Sequence, residues 1–316
     1  MTGPFHRSTL GLLLLVLACP ADGQDNILYR QHLIHPVLAN PAVSGSEFFS
    51  VATLSYRKQW AGIPGSPQSM LFSTSLRIGN FGYYNPRKLL NTSGLRIKER
   101  IGLGLALYAD ENGPLVQRGG LLAYAYHLEL NNARLSLGLS GSVMQYLRDE
   151  SGLHGTYPDD PLLTGVRDSR LDANAGTGIY YYSPTLFGGV AVQHVLPLRE
   201  EGWDGAGHGT DVLLSGGTLF REMGRPKLEL SGSVRWLDGE TLEGDLHLRS
   251  YIQEYHWVAL SIHSYQALSA HVGIKIGVLH LVYTYEANLS NLIRYTAGTH
   301  ALHLGLNTGI RRTRGF

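Results

Sequence analysis

Large apolar residues recur at every second position through run after run of this chain, with small or charged residues between them, and that period is the signature of β-strands. Leu103, Leu105 and Leu107 alternate with Gly102, Gly104 and Ala106, and Leu135, Leu137 and Leu139 alternate with Ser136, Gly138 and Ser140. Leu228, Leu230, Gly232, Val234 and Trp236 are interleaved with Glu229, Ser231, Ser233 and Arg235, so one face is apolar and the other polar. Leu242, Leu246 and Leu248 against Glu243, Asp245, His247 and Arg249, and Val272, Ile274, Ile276 and Val278 against Gly273, Lys275 and Gly277, extend the pattern. The runs predict strands over 48–60, 67–78, 100–110, 117–130, 133–147, 171–182, 186–196, 208–220, 226–237, 242–253, 255–264, 268–278, 279–288 and 297–309. That is an even number, about fourteen, as a closed bacterial barrel with both chain ends on one side requires.

Alternation alone does not say whether the apolar face meets lipid or a second sheet, so a soluble β-sandwich is the first rival. The N-terminus speaks for export. His6 and Arg7 precede an apolar run from Leu10 to Ala18, too short for a spanning helix, and Ala21 and Gly23 suit a cleavage site before Gln24. The expected organisation is therefore a signal peptide over 1–23, a periplasmic lead-in over 24–47 and a single-domain, all-β transmembrane antiparallel barrel over 48–316. The sole cysteine, Cys19, falls in the removed segment; lipidation at Cys19 is the alternative. With 39 glycines, 18 tyrosines, 16 % charged residues and no second long apolar stretch, the composition is unlike a helical membrane protein. A net charge of +1 leaves no excess positive charge for nucleic acid.

Loop lengths favour the barrel. Odd-numbered connections include the long 148–170 and 198–207, whereas even-numbered ones include tight turns at Asn131-Asn132, Ser183-Pro184-Thr185, Gln253-Glu254 and Val278-Leu279. The even-numbered 79–99 is long, and carries Tyr83, Tyr84, Arg87, Lys88, Arg96 and Lys98, a solvated loop or a docking surface for a periplasmic partner. Tyr180-Tyr181-Tyr182, Tyr251, Tyr255 with Trp257, and Tyr283 with Tyr285 lie near strand ends, as membrane-interface aromatics do.

Chemistry is scarce. Of 14 histidines only His32 with His35 and His300 with His303 are close pairs, and residues three apart in a strand face opposite ways, so neither is read as a metal site. Asp159-Asp160, Asp168 and Asp172 lack the spacing of a calcium loop. Ser261 and His263 share a face but show no third orienting group, which argues against a barrel phospholipase. No catalytic residue, cofactor or metal is expected, and the chain is not read as an enzyme. Gly216-Gly217 and Gly119-Gly120 are read as bends or close approaches, and Phe316 is cut off from the last apolar strand by Arg311, Arg312 and Arg314.

Asn40-Pro41-Ala42-Val43-Ser44-Gly45, then Tyr56-Arg57-Lys58-Gln59-Trp60-Ala61-Gly62 and Gly65-Ser66-Pro67, resemble the opening signature of the PorP/SprF family of type IX secretion membrane proteins. The likeness continues through Gly102-Leu103-Gly104, Asp110, Gly113-Pro114, Tyr124-Ala125-Tyr126, the run Leu135 to Leu139, Asn174 and Gly176 within Asp172 to Tyr181, Gly188, His194, and Gly298-Thr299-His300. Two positions depart from it: Val43 stands where the family usually has an aromatic, and Ala301 where it usually has an acidic residue. The resemblance implies a non-enzymatic outer-membrane component that exports or holds at the surface a cargo with a C-terminal targeting domain, gliding adhesins being one such class. It also implies periplasmic anchoring and motor components as partners, beside outer-membrane lipid.

From the residues themselves, Tyr56 belongs at the interface with Arg57 and Gln59 on the opposite face, and Asn40-Pro41-Ala42 reads as a turn shaping the periplasmic mouth or touching a partner. A channel for a small solute is the alternative, with Glu229, Arg235, Glu243, Asp245 and Arg249 in the lumen setting selectivity, filling a wet interior or seating a plug.

Overall fold

The computed structural model describes residues 31–47, 50–78, 100–149, 167–196, 209–222, 225–237, 241–252, 256–264 and 267–308. The expected signal peptide, Cys19, the basic loop 79–99, Asp159-Asp160, Tyr255 and the C-terminal arginines with Phe316 lie outside the described residues. Fourteen strands follow in order: β1 (Ser50–Lys58), β2 (Gln68–Arg77), β3 (Ile101–Asn112), β4 (Leu115–Leu130), β5 (Ala133–Asp149), β6 (Arg167–Tyr182) and β7 (Leu186–Gln193). The second half comprises β8 (Asp211–Glu222), β9 (Arg225–Leu237), β10 (Thr241–Ile252), β11 (His256–His263), β12 (Ala267–Ile276), β13 (Leu279–Asn288) and β14 (Thr299–Thr308). Each pairs antiparallel with its sequence neighbour, and β1 also pairs with β14 from Ser50↔Thr308 to Lys58↔His300, closing the barrel. No edge remains among these strands, so the ladders satisfy the backbone polar groups that lipid would leave unsatisfied.

The sequence alternation maps onto the wall, with one register shift, between Phe220 and Arg221 in the β8–β9 ladder. Leu54, Leu107, Leu122, Leu139, Leu171, Leu260, Ile262, Ile276 and Leu304 are exposed on the outside, whereas Ser55, Arg57, Ser73, Ser136, Ser261, Ser269, His271 and His303 are buried within. An outer surface this apolar is stable against hydrocarbon and not against water.

Two expectations need correction. Among the described residues of the aromatic clusters, only Tyr181, Tyr283 and Tyr285 face outward. Tyr180 and Tyr182 stack on each other inside, the Tyr251 hydroxyl donates to Glu229 Oε2 at 2.7 Å, and Trp257 is buried. Strand parity decides this: residues next to an outward Tyr181 must point inward. The Trp257 indole lies over Gly273, its cross-strand partner, where a Cβ would collide with the ring. Loop asymmetry is also weaker than expected. The end where β1 begins and β14 finishes, here the proximal end, has tight turns at Asn131-Asn132, Ser183-Pro184-Thr185 and Gly277-Val278. The distal end carries an equally tight one at Gly113-Pro114, where Gly113 has φ +58°.

Candidate functional site

The lumen is occupied by the chain's own N-terminal segment. Residues 31–47 lie against the inner wall, with α1 (Pro36–Ala39) followed by a 3₁₀ turn at Pro41–Val43. Val37 and Leu38 pack on Leu71, Ala106, Tyr108, Leu121, Ala123, Met144 and Tyr146, a small apolar core inside the polar lumen. Ile34 packs against Trp257 and Val282 across the barrel. The lead-in expected at the periplasmic mouth thus reaches into the barrel.

The motif residues explain how it seats. Asn40 is extended, with φ −146°. Its Oδ1 accepts from Ala42 N at 2.9 Å, capping the 3₁₀ turn, and its Nδ2 donates to Ile179 O at 3.2 Å on β6. Pro41 takes the first helical position, where its missing N–H costs nothing. Ala42 is fully buried and its carbonyl accepts from Ser136 Oγ at 2.7 Å. Gly45, with φ +70°, turns the chain where Arg77 Nε donates to its carbonyl at 2.6 Å.

The wall answers with glycines. A Cβ on Gly138 would strike the Ala42 backbone, one on Gly102 the Ser44 carbonyl, and one on Gly178 the Asn40 side chain. Gln193 Nε2 donates to Leu38 O and Ala39 O, and His127 Nε2 lies 3.0 Å from Ser44 O. These seat residues, Arg77, His127, Ser136 and Gln193, went unnoticed in the sequence because each is one polar residue on an inward strand position. Replacing Asn40 by Ala removes the cap and the bond to β6 together. An expected loss of about 1–3 kcal/mol in seating the segment would show as faster protease cleavage within it.

A second set of motif residues gathers at the distal end. Tyr56 faces outward while Arg57 and Gln59 are buried inside, and Arg57 Nη2 donates to Glu286 Oε1 at 2.9 Å. Trp60 has φ +45° and Gly62 φ +97°, and Ala61 exchanges backbone hydrogen bonds with Gly298 and Ala297, each at 2.8 Å, tying the β1–β2 loop to the β13–β14 loop. Gly298 has φ +89°, and a Cβ there would crowd the Tyr285 ring. His300 faces outward, 2.7 Å from the Tyr283 hydroxyl, while His303 is buried inside, as their spacing requires. Asp110 lies buried inside near the same end. Asn174 stands apart on β6, bridging Leu196 N and O, and Gly176 leaves room for Ser140 Oγ. The motif positions thus form a proximal seat, a distal clasp and a brace on β6, not one constellation.

Between the two ends runs a polar belt. His35 meets Ser73 Oγ at 2.7 Å and Ser55 Oγ at 2.6 Å; Ser55 meets His303; Thr284 lies between His303 and His271; and Ser261 between His271 and His247. Four of the lumen charges pair off, Arg235 with Glu243 at 3.1 Å and Arg249 with Glu229 at 3.5 Å. A cavity of about 640 Å³ remains between the segment and β5–β10, lined among others by Asn40, Arg134, Tyr180, Glu229, His247 and Arg249.

The family model for type IX secretion system membrane protein PorP/SprF matches residues 21–306. No curated protein matches the chain. Similar solved structures include a Pseudomonas aeruginosa FadL homologue, 10 % identical with a TM-score of 0.45, covering 85 % of this chain and 93 % of that one. Another is Acinetobacter baumannii Omp33, 7 % identical with a TM-score of 0.44, covering 82 % and 97 %. A mutant Rh. blastica porin is 6 % identical with a TM-score of 0.35, covering 82 % and 98 %. Family and fold point to a non-enzymatic secretion component, and this chain, a closed fourteen-stranded barrel of the bacterial outer membrane, belongs to the PorP/SprF family of type IX secretion system membrane proteins.

Proposed function

We propose that this barrel serves type IX secretion by supporting export, or surface attachment, of a cognate cargo carrying a C-terminal targeting domain, a gliding adhesin being one such cargo. The observation that carries the reading is that the family's opening motif, Asn40 to Gly45, is built into the lumen as a seated segment. A lumen so filled, with Arg235 and Arg249 each matched to a glutamate, suits a docking component better than a solute pore. Periplasmic anchoring and motor components of the machinery are the proposed partners at the proximal end.

The test is deletion of the gene followed by mass spectrometry of cell surface and medium. Loss of one or a few large proteins bearing a C-terminal targeting domain is the expected outcome. An unchanged exoproteome together with altered solute uptake, or conductance by the purified barrel, would replace this reading with the channel.

A further inference from the structure

Residues 31–35 bring His32 to the inner face of β10, onto two side chains that share that face, Asp245 and His247. His32 Nε2 lies 3.2 Å from His247 Nε2, with the rings edge to face. Asp245 Oδ2 is 3.9 Å from Nδ1, the other nitrogen of the same His32 ring. One donor atom from each of the three lies within 4.8 Å of the other two. Two imidazole nitrogens about 3.3 Å apart are what tetrahedral zinc produces with bonds of about 2.0–2.1 Å.

The surroundings orient these donors. His247 Nδ1 is engaged by Ser261 Oγ at 2.7 Å, which turns Nε2 towards His32. The other Asp245 oxygen meets His263 Nδ1 at 2.7 Å, and Ser233 Oγ donates to Oδ2 at 3.2 Å. Tethering the far nitrogen of an imidazole and the far oxygen of a carboxylate is how metal sites fix their ligands. His247 is 2 % exposed, yet His32 and His247 both line the 640 Å³ cavity, so an ion has a route in and a water has room to complete four-coordination.

We propose that His32, Asp245 and His247 bind a first-row divalent cation, zinc by preference, which pins the N-terminal segment to β10. Two neutral imidazoles and one carboxylate suit zinc, whereas calcium and magnesium take oxygen-rich shells. Closing the Asp245 side of the triangle requires movement of His32, the one ligand carried outside the sheet.

The probe is zinc alone, added to the full chain in detergent, carried on a tag without histidine and first dialysed against chelator. About one retained zinc per barrel is expected, with affinity falling at least about tenfold in His32→Ala and Asp245→Asn and unchanged in His256→Ala. His256 lies on the outer face, at the start of β11. Cobalt in place of zinc should give an intense tetrahedral visible spectrum, and zinc should slow protease cleavage within the N-terminal segment of the parent but not of His32→Ala. Because His32 belongs to no strand, its variant keeps the barrel closed, which heat-modifiable gel migration verifies; it decides the matter even if Asp245→Asn fails to fold. No retained zinc in the parent, or equal retention in His32→Ala, overturns the proposal and leaves a plain histidine hydrogen bond.

Discussion

Gly138→Val is expected to push the Asn40–Gly45 turn off the wall while the barrel stays closed. The added Cβ would meet the backbone N and Cα of Ala42 and the carbonyl carbon of Pro41, none of which a rotamer change can move. The strand itself has no reason to object, since β-branched residues favour strands and glycine in a strand interior is a weakness. The penalty therefore falls on the seat. Overpacking of about 1–3 kcal/mol translates into roughly 5- to 150-fold greater release of the segment. Limited proteolysis of the detergent-solubilised chain reads this out as faster cleavage between residues 31 and 47. Gly141→Val is the control, because a Cβ there meets nothing within 4 Å. Equal cleavage rates in the two variants would show that the segment does not depend on this seat.

The wall was legible in the sequence and its contents were not. Period-two alternation located every strand, with bounds off by at most four residues, the largest gap being β6, expected from 171 and observed from Arg167. Parity also placed Ser261 and His263 on one inner face and separated His300 from His303. What alternation does not encode is whether an inward polar face meets water or another part of the chain. Asn40-Pro41-Ala42 gives the same turn signal in either setting, and its complement, Gly102, Gly138 and Gly178, is scattered over β3, β5 and β6, where small inward residues look unremarkable one at a time. The His32, Asp245 and His247 cluster was hidden for a related reason: His32 pairs in sequence with His35 but in space with β10. The clustered tyrosines misled because a filled lumen accepts rings as readily as the membrane interface does.

Glu286→Ala is expected to destabilise the barrel by about 3–5 kcal/mol, because it leaves the Arg57 guanidinium buried without its carboxylate. Both side chains are almost wholly shielded, at 4 % and 6 % exposure, so solvent screening offers little relief. The pair reaches across β14: Arg57 on β1 stands opposite Ala301 in the ladder, while Glu286 comes from β13 on the far side of that strand. Ala301 faces inward and is the position where the family usually carries an acidic residue. An acid there would face Arg57 directly; in this chain the small Ala301 leaves room for Glu286 to supply the charge from one strand further along. Ala301→Asp placed in the Glu286→Ala background should therefore restore most of the lost stability, whereas Ala301→Asp alone should bring no gain because Arg57 is already matched. Urea unfolding of the four proteins in lipid vesicles measures the cycle. A loss below about 1 kcal/mol in Glu286→Ala, the range of solvated pairs, would mean that the distal lumen is wet enough to solvate Arg57. A full loss without rescue would mean that Glu286 matters chiefly through Ser269 Oγ, which lies 3.3 Å from its other oxygen and links it to His263.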